Sequence, residues 1–290
     1  MKKILGIGNA LVDVLVNIEN DSLLSAFKSD KGGMVMIDAE QKRKIHDDIA
    51  NMPQTCATGG STSNTIHGLA RLGAQVGFIG KIGKDATGTF FREEMQRFGV
   101  TPHLISSELD TGIATTFISS DAERTFATYL GAAATMTPQD IDPDIIAQYD
   151  IILVEGYLIF NHDLILAVCK IAKEKGLQIA MDMASYNLIE DNYDFVKMLL
   201  KDYVDIIFAN EEEAKAYTGK DRLDALTELS KDCSISIVKV GKDGSFIQMN
   251  GEVTKIEPIN AVRRDTTGAG DIYASGFLYG LINDYSARKA

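Results

Sequence analysis

Short apolar runs alternate with stretches of helical periodicity along most of the chain. The runs Ile4–Gly8, Val76–Ile79, Ile151–Val154, Gln178–Asp182, Asp205–Ala209 and Ser236–Val240 predict strands. Apolar positions three and four apart predict helices over Asn64–Leu72, Thr89–Phe98, Leu164–Lys175, Tyr193–Leu200, Glu211–Tyr217 and Ile272–Ile282. Strands that alternate with helices of this length imply a mostly parallel sheet covered on both faces. Two places break the rhythm. Leu11–Ile18 and Met34–Ile37 are strand-like around a polar connection, and Thr115–Ser119 and Arg124–Tyr129 read as a hairpin across Ser120-Asp121-Ala122-Glu123. With no helix to cover them, these segments predict a small separate sheet, either a lid over a ligand crevice or a decorated sheet edge.

No repeat or Pro-rich linker divides the 290 residues, and a chain this long buries a large core without metal or disulfide staples. Lys and Arg total 29 against 41 for Asp and Glu, a formal net charge of −12. Such a surface repels phosphate backbones, so nucleic acid and anionic membrane are excluded as main partners. A phosphorylated ligand must then be held by a local device. Cys56, Cys169 and Cys233 form no metal or redox spacing and predict three buried thiols in a reducing, cytoplasmic setting. The apolar run Ile151–Phe160 contains Glu155 and is too short to span a bilayer.

Two familiar nucleotide signatures fail. After Gly6 and Gly8 a dinucleotide fingerprint needs a third glycine at position 11, which is Leu11. No Gly-Lys pair has the glycine spacing or the following Ser or Thr of a Walker A loop. The four histidines show no ligand spacing.

Asp265-Thr266-Thr267-Gly268-Ala269-Gly270-Asp271, running into an apolar helix, is the strongest signal. Small residues let backbone N–H groups approach a phosphate, and a helix start adds unpaired donors and partial positive charge. Asp271 stands at the mouth of that anion hole, where a carboxylate can accept a hydroxyl proton, and the helix start is expected to lower its pKa. Ala57-Thr58-Gly59-Gly60-Ser61-Thr62-Ser63-Asn64 opens another helix and serves either a hydroxyl-rich ligand or only the helix cap. Asp13 follows the first strand, where open α/β sheets bind ligands; it either grips vicinal hydroxyls or shapes a turn. Asn210 and Glu213 share a helix face that suits Mg²⁺ through water, or simply a solvated acidic first turn. Lys239, Gly241 and Gly244 lie in a strand–turn–strand segment that cradles a nucleotide phosphate or is a plain hairpin.

Together these segments resemble the ribokinase-like, PfkB-type carbohydrate and nucleoside kinases over nearly the whole chain. Gly8-Asn9-Ala10-Leu11-Val12-Asp13, Gly59-Gly60…Asn64, Gly80–Gly88, Glu155-Gly156-Tyr157-Leu158, Asn210…Glu213, Gly241…Gly244 and Asp265–Tyr273 carry the likeness, which is greatest to bacterial adenosine-kinase-like members. The resemblance implies a three-layer α/β/α sandwich of about nine strands with a β lid drawn from residues 11–38 and 112–131. It implies transfer of the ATP γ-phosphate, with Mg²⁺, to a primary hydroxyl of a nucleoside or, alternatively, of a ribose- or fructose-like sugar. Asp271 would be the base and the backbone of Gly268, Ala269 and Gly270 the anion hole. Asn9, Asp13, Gly59, Gly60 and Asn64 would hold the acceptor; Lys239, Gly241, Gly244 and Thr266 the ATP; Asn210 and Glu213 the metal. Phe117, Phe126 and Tyr129 are candidates for stacking on a base, or for the core of the small sheet. A monomer or a homodimer through the lid is expected. The sequence stops at Ala290, soon after the last helix, which implies a truncated C-terminal end; a non-catalytic binding protein of the same fold is the reading from another class.

Overall fold

The computed structural model describes residues 2–27, 31–259 and 268–289. Its large sheet has nine strands in the spatial order Glu252–Ile256, Ser245–Met249, Ile235–Lys239, Ile206–Asn210, Gln178–Asp182, Ile151–Glu155, Ile4–Ile7, Val76–Gly83 and Thr101–Ser107. Seven neighbouring strands, from Ile235–Lys239 to Thr101–Ser107, run parallel, and the two at the other edge pair antiparallel.

Both faces of this sheet are buried, and the pleat decides which core each residue joins. Leu5, Ile7, Ile152, Val154, Ile207 and Ala209 pack into one core, with buried residues of the helices His162–Glu174, Tyr193–Asp202, Glu211–Thr218 and Arg222–Leu229. Ile4, Ile151, Leu153, Ile206 and Phe208 face the other, with Ile66, Leu69, Phe91 and Phe277 from the helices Ser61–Arg71, Ala86–Arg97 and Ala269–Ile282. The result is three layers, helix, sheet and helix.

The second sheet has five strands in the order Met34–Met36, Arg124–Tyr129, Gly112–Ile118, Leu11–Asn17 and Gln54–Gly59. The hairpin expected after Thr115 is present, with Phe117 opposite Thr125. The strand Gln54–Gly59 was not anticipated. Its first four residues are exposed, so it carries no apolar alternation to announce it. Its pairing with Leu11–Asn17 brings Gly59 beside Leu11 and Ala57 beside Asp13.

One expectation fails outright: Cys56 lies on this outer strand and is exposed, whereas Cys169 and Cys233 are buried. Among the described residues no helix is long and apolar enough to cross a membrane. The chain leaves the first strand, Ile4–Ile7, for neighbours on one side, then returns to build the other side. Ligands bind outside the carboxyl ends of strands at such a switch of direction.

Candidate active site

Four adjacent buried strands end in polar residues at that carboxyl edge. Glu155, Asp182, Asn210 and Lys239 are the last residues of their strands, and the register sets Glu155 beside Asp182 and Asn210 beside Lys239. Lys239 Nζ donates to Asp182 Oδ2 at 2.9 Å. Burial alone would lower the Lys239 pKa, but the charges of Asp182, Glu213 and Asp271 hold it above the usual lysine value.

Asn210 and Glu213 form a reciprocal cap on the helix Glu211–Thr218. Asn210 Oδ1 accepts from Glu213 N at 2.9 Å, and the two Glu213 oxygens accept from Asn210 N and Nδ2 at 2.7 Å each. Glu213 is buried, unlike Glu212, so the acidic turn is only partly solvated. Burial, with Asp182 adding to it and Lys239 opposing, pushes the Glu213 pKa up to about 7. Among the described residues, no three His, Cys, Asp or Glu side chains are grouped closely enough to hold a metal ion by themselves.

The helix Ala269–Ile282 begins after Gly268, which is left-handed at φ 71°. Ala269, Gly270 and Asp271 are its first three residues, the positions whose N–H groups have no partner within a helix. Asp271 is clasped from the facing helix: Ser61 Oγ donates to Oδ1 at 2.7 Å and Asn64 Nδ2 to Oδ2 at 3.0 Å. Both donors stand in the first turn of Ser61–Arg71, whose start Gly60 caps at φ 90°. The expected lowering of the Asp271 pKa is not found. Burial raises it, and the bonds from Asn64 and Ser61 offset that only in part.

Asp271 and Asn64 stand between two cavities. One, of about 480 Å³, is lined by Asn210, Glu213, Lys239, Gly241, Gly244 and Ala269–Asp271, with Asp182 and Ser61. The other, of about 330 Å³ beside the second sheet, is lined by Asp13, Asn64, Arg71, Arg124, Phe126 and Gly268 among others. Burial, followed by the charge of Asp271, lifts the Asp13 pKa to about 6. Gly59 lies so close that a Cβ there would stand 2.1 Å from Asp13 Oδ1.

Most of the expected residues therefore converge on these two cavities; among the described residues Asn9, Phe117 and Tyr129 do not. Asn9 is buried, donates through Nδ2 to Glu155 at 2.6 Å, and lines a third cavity of about 560 Å³ with Tyr157. Phe117 is core, leaving Phe126 as the aromatic of the second-sheet cavity, while Tyr129 packs at the core edge under Lys42. Thr266, with Asp265 and Thr267, lies outside the described residues. Sequence reasoning missed Ser61, Asp182 and Glu155. Asp182 and Glu155 carried a readable sign, a charged residue closing a buried parallel strand at the ligand-binding edge.

Residues 28–290 match the pfkB family carbohydrate kinase. The chain belongs to that family. Two solved bacterial structures superpose along nearly all of it. The adenosine kinase of Sinorhizobium meliloti is 32% identical with a TM-score of 0.87, over 99% of this chain and 90% of that one. A probable sugar kinase of Rhizobium etli CFN 42 is 31% identical with a TM-score of 0.87, over 99% and 88%. The 5-dehydro-2-deoxygluconokinase of Geobacillus kaustophilus is 31% identical over 260 residues, 82% of this chain and 77% of that protein. The fold is thus ribokinase-like, and the chain is a kinase of the carbohydrate and nucleoside class.

Proposed function

We propose that the chain transfers the γ-phosphoryl group of ATP to a primary hydroxyl, with Asp271 as the base. The observation that carries this reading is the Asp271 carboxylate at a helix N-terminus, lining one cavity and clasped by Ser61 and by Asn64, which lines the other. A nucleotide entering along Lys239, Gly241 and Gly244 would bring its terminal phosphate to the helix-start N–H groups of Ala269, Gly270 and Asp271. An acceptor held by Asp13 on the other side would present its hydroxyl to Asp271. Phosphoryl transfer has a loose transition state, so positioning and charge stabilisation matter more than base strength, though the raised Asp271 pKa also suits proton acceptance.

Among the described residues, the proposed nucleotide cavity is lined by three carboxylates, Asp182, Glu213 and Asp271, against the ammonium of Lys239. Further positive charge is needed before a triphosphate fits. Mg²⁺ supplies it when bound, neutralising phosphate charge. The Glu213 oxygens already accept protein hydrogen bonds, and both Asp182 oxygens do too, from Ala184 N and Lys239 Nζ. That donor set fits a hydrated ion held through water, with Asp182 joining Asn210 and Glu213.

For the acceptor, an adenosine-like nucleoside is the first reading, supported by the match along the whole chain to a bacterial adenosine kinase and by Phe126 beside Asp13. A sugar is the second. The Rhizobium and Geobacillus relatives favour it, and Arg71 and Arg124 on the same cavity suit an acid sugar such as a gluconate. Measuring ATP consumption with a panel of nucleosides, neutral sugars and sugar acids decides between them. Turnover with none of the panel would count against kinase activity of this site.

A further inference from the structure

Glu155 lies at the junction of three segments that build the site. It ends the strand Ile151–Glu155 and is 2% exposed. Its Oε1 accepts from Asn9 Nδ2 at 2.6 Å and from Asn9 N at 3.3 Å, and its Oε2 accepts from Thr62 N at 3.2 Å. Asn9 follows the first strand, and Thr62 is in the first turn of Ser61–Arg71, between the two residues that clasp Asp271. Gly8 leaves room for the carboxylate, since a Cβ there would stand 2.3 Å from Oε2.

A buried carboxylate is costly unless hydrogen bonds compensate it, and these three donors do so. Two opposed acceptor oxygens are what this site needs. An amide in the same place offers one acceptor and turns its NH₂ toward the N–H of Thr62 or the amide of Asn9. We propose that Glu155 is a positioning residue, fixing the first turn of Ser61–Arg71 and the Asn9 amide and so, through Ser61 and Asn64, aiming the Asp271 carboxylate without touching the acceptor. This rests on the phosphotransferase reading of the same site. The charged and titratable groups facing Glu155 are Asp271 and the Tyr157 hydroxyl. Burial, resisted by Asn9 and Thr62 and reinforced by Asp271, lifts the Glu155 pKa to about 7.

The test is a double-mutant cycle on the full chain, with Glu155→Gln, Ser61→Ala and both together. It uses ATP and whichever panel acceptor the wild type phosphorylates, with melting temperatures measured in parallel. Glu155→Gln is expected to lower kcat roughly 10–100-fold, as loss of a supporting shell usually does, with the KM for ATP unchanged. The double variant should fall little below Glu155→Gln, because both substitutions disturb the same clasp. Additive losses, or a lower melting temperature with normal kinetics, would overturn the proposal. So would a change confined to the acceptor KM, which would mean direct contact. Should Glu155→Gln not fold, Asn9→Ala removes one donor and keeps the carboxylate. A smaller kcat loss, again coupled to Ser61→Ala, supports the proposal, and no coupling sinks it. A wild type that phosphorylates nothing overturns the phosphotransferase reading and this inference with it; an active wild type with uncoupled variants overturns this inference alone.

Discussion

Asp271 accepts one hydrogen bond on each oxygen, from Ser61 and from Asn64, so the carboxylate plane is fixed from both sides. Asp271 also lines the cavity beside Lys239, where a reacting hydroxyl would meet it. Replacement by asparagine keeps the size and removes both the charge and one acceptor. Asp271→Asn should lower phosphoryl transfer by on the order of 10²–10⁴-fold, the range of base catalysis, with acceptor affinity within a few-fold of wild type. Rate and acceptor binding measured on one preparation check this. A variant that retains a tenth or more of the activity removes Asp271 from the role of base. The failure of the expected pKa lowering is also a residue-scale lesson. A helix start favours the anion, but here burial outweighs it, and burial cannot be read from a seven-residue motif.

At the scale of elements, the buried parallel strands were legible because both faces are apolar, as in Ile206–Phe208 and Ile151–Val154. The strands Gln54–Gly59, Thr101–Ser107 and Glu252–Ile256 were not, because edges and outer sheets keep polar, exposed residues and derive their order from a neighbour's backbone. The candidate site divides in the same way. Glycine-rich helix starts announce themselves in sequence, whereas Ser61, Asp182 and Glu155 gain meaning only when register and helix packing bring them to the edge. The helix start at Asn210 permits a sharper test. Glu213 both caps that start and lines the cavity of Lys239 and Asp271, so the cap and the proposed metal role need separate readouts. Glu213→Gln should raise the Mg²⁺ concentration for half-maximal rate several-fold, one negative charge being lost near the metal and phosphate. A lower melting temperature with unchanged Mg²⁺ dependence would leave Glu213 as a cap and nothing more.

Across the whole molecule, a net charge of −12 surrounds a site whose carboxylates are pushed upward together: Asp13 to about 6, Glu155 and Glu213 to about 7, Asp271 in the same direction. Stability and activity should therefore respond to pH in opposite senses. A raised carboxyl binds its proton in the folded chain at a pH where the unfolded chain has lost it. Its contribution to stability is complete below the unfolded value, near 3.8 for Asp13, and is lost as pH rises toward about 6. The proposed grip on acceptor hydroxyls works the other way, since only the ionised carboxylate accepts from two of them. Asp13→Asn removes this titration together with its charge coupling to Asp271. At pH 4 the variant and the wild type should melt nearly alike and bind acceptor within a few-fold of each other. At pH 8 the variant should melt roughly 6–12 °C higher, for a stability difference of about 3 kcal/mol. Its acceptor affinity should then be weaker by on the order of a hundredfold, the value of one or two charge-assisted hydrogen bonds. Thermal melts and acceptor titrations at both pH values measure the pair of effects. A variant that melts lower than wild type at pH 8, with acceptor affinity intact, would make Asp13 a structural residue of the strand Leu11–Asn17, in which it lies rather than in the turn the sequence allowed, and move the acceptor elsewhere.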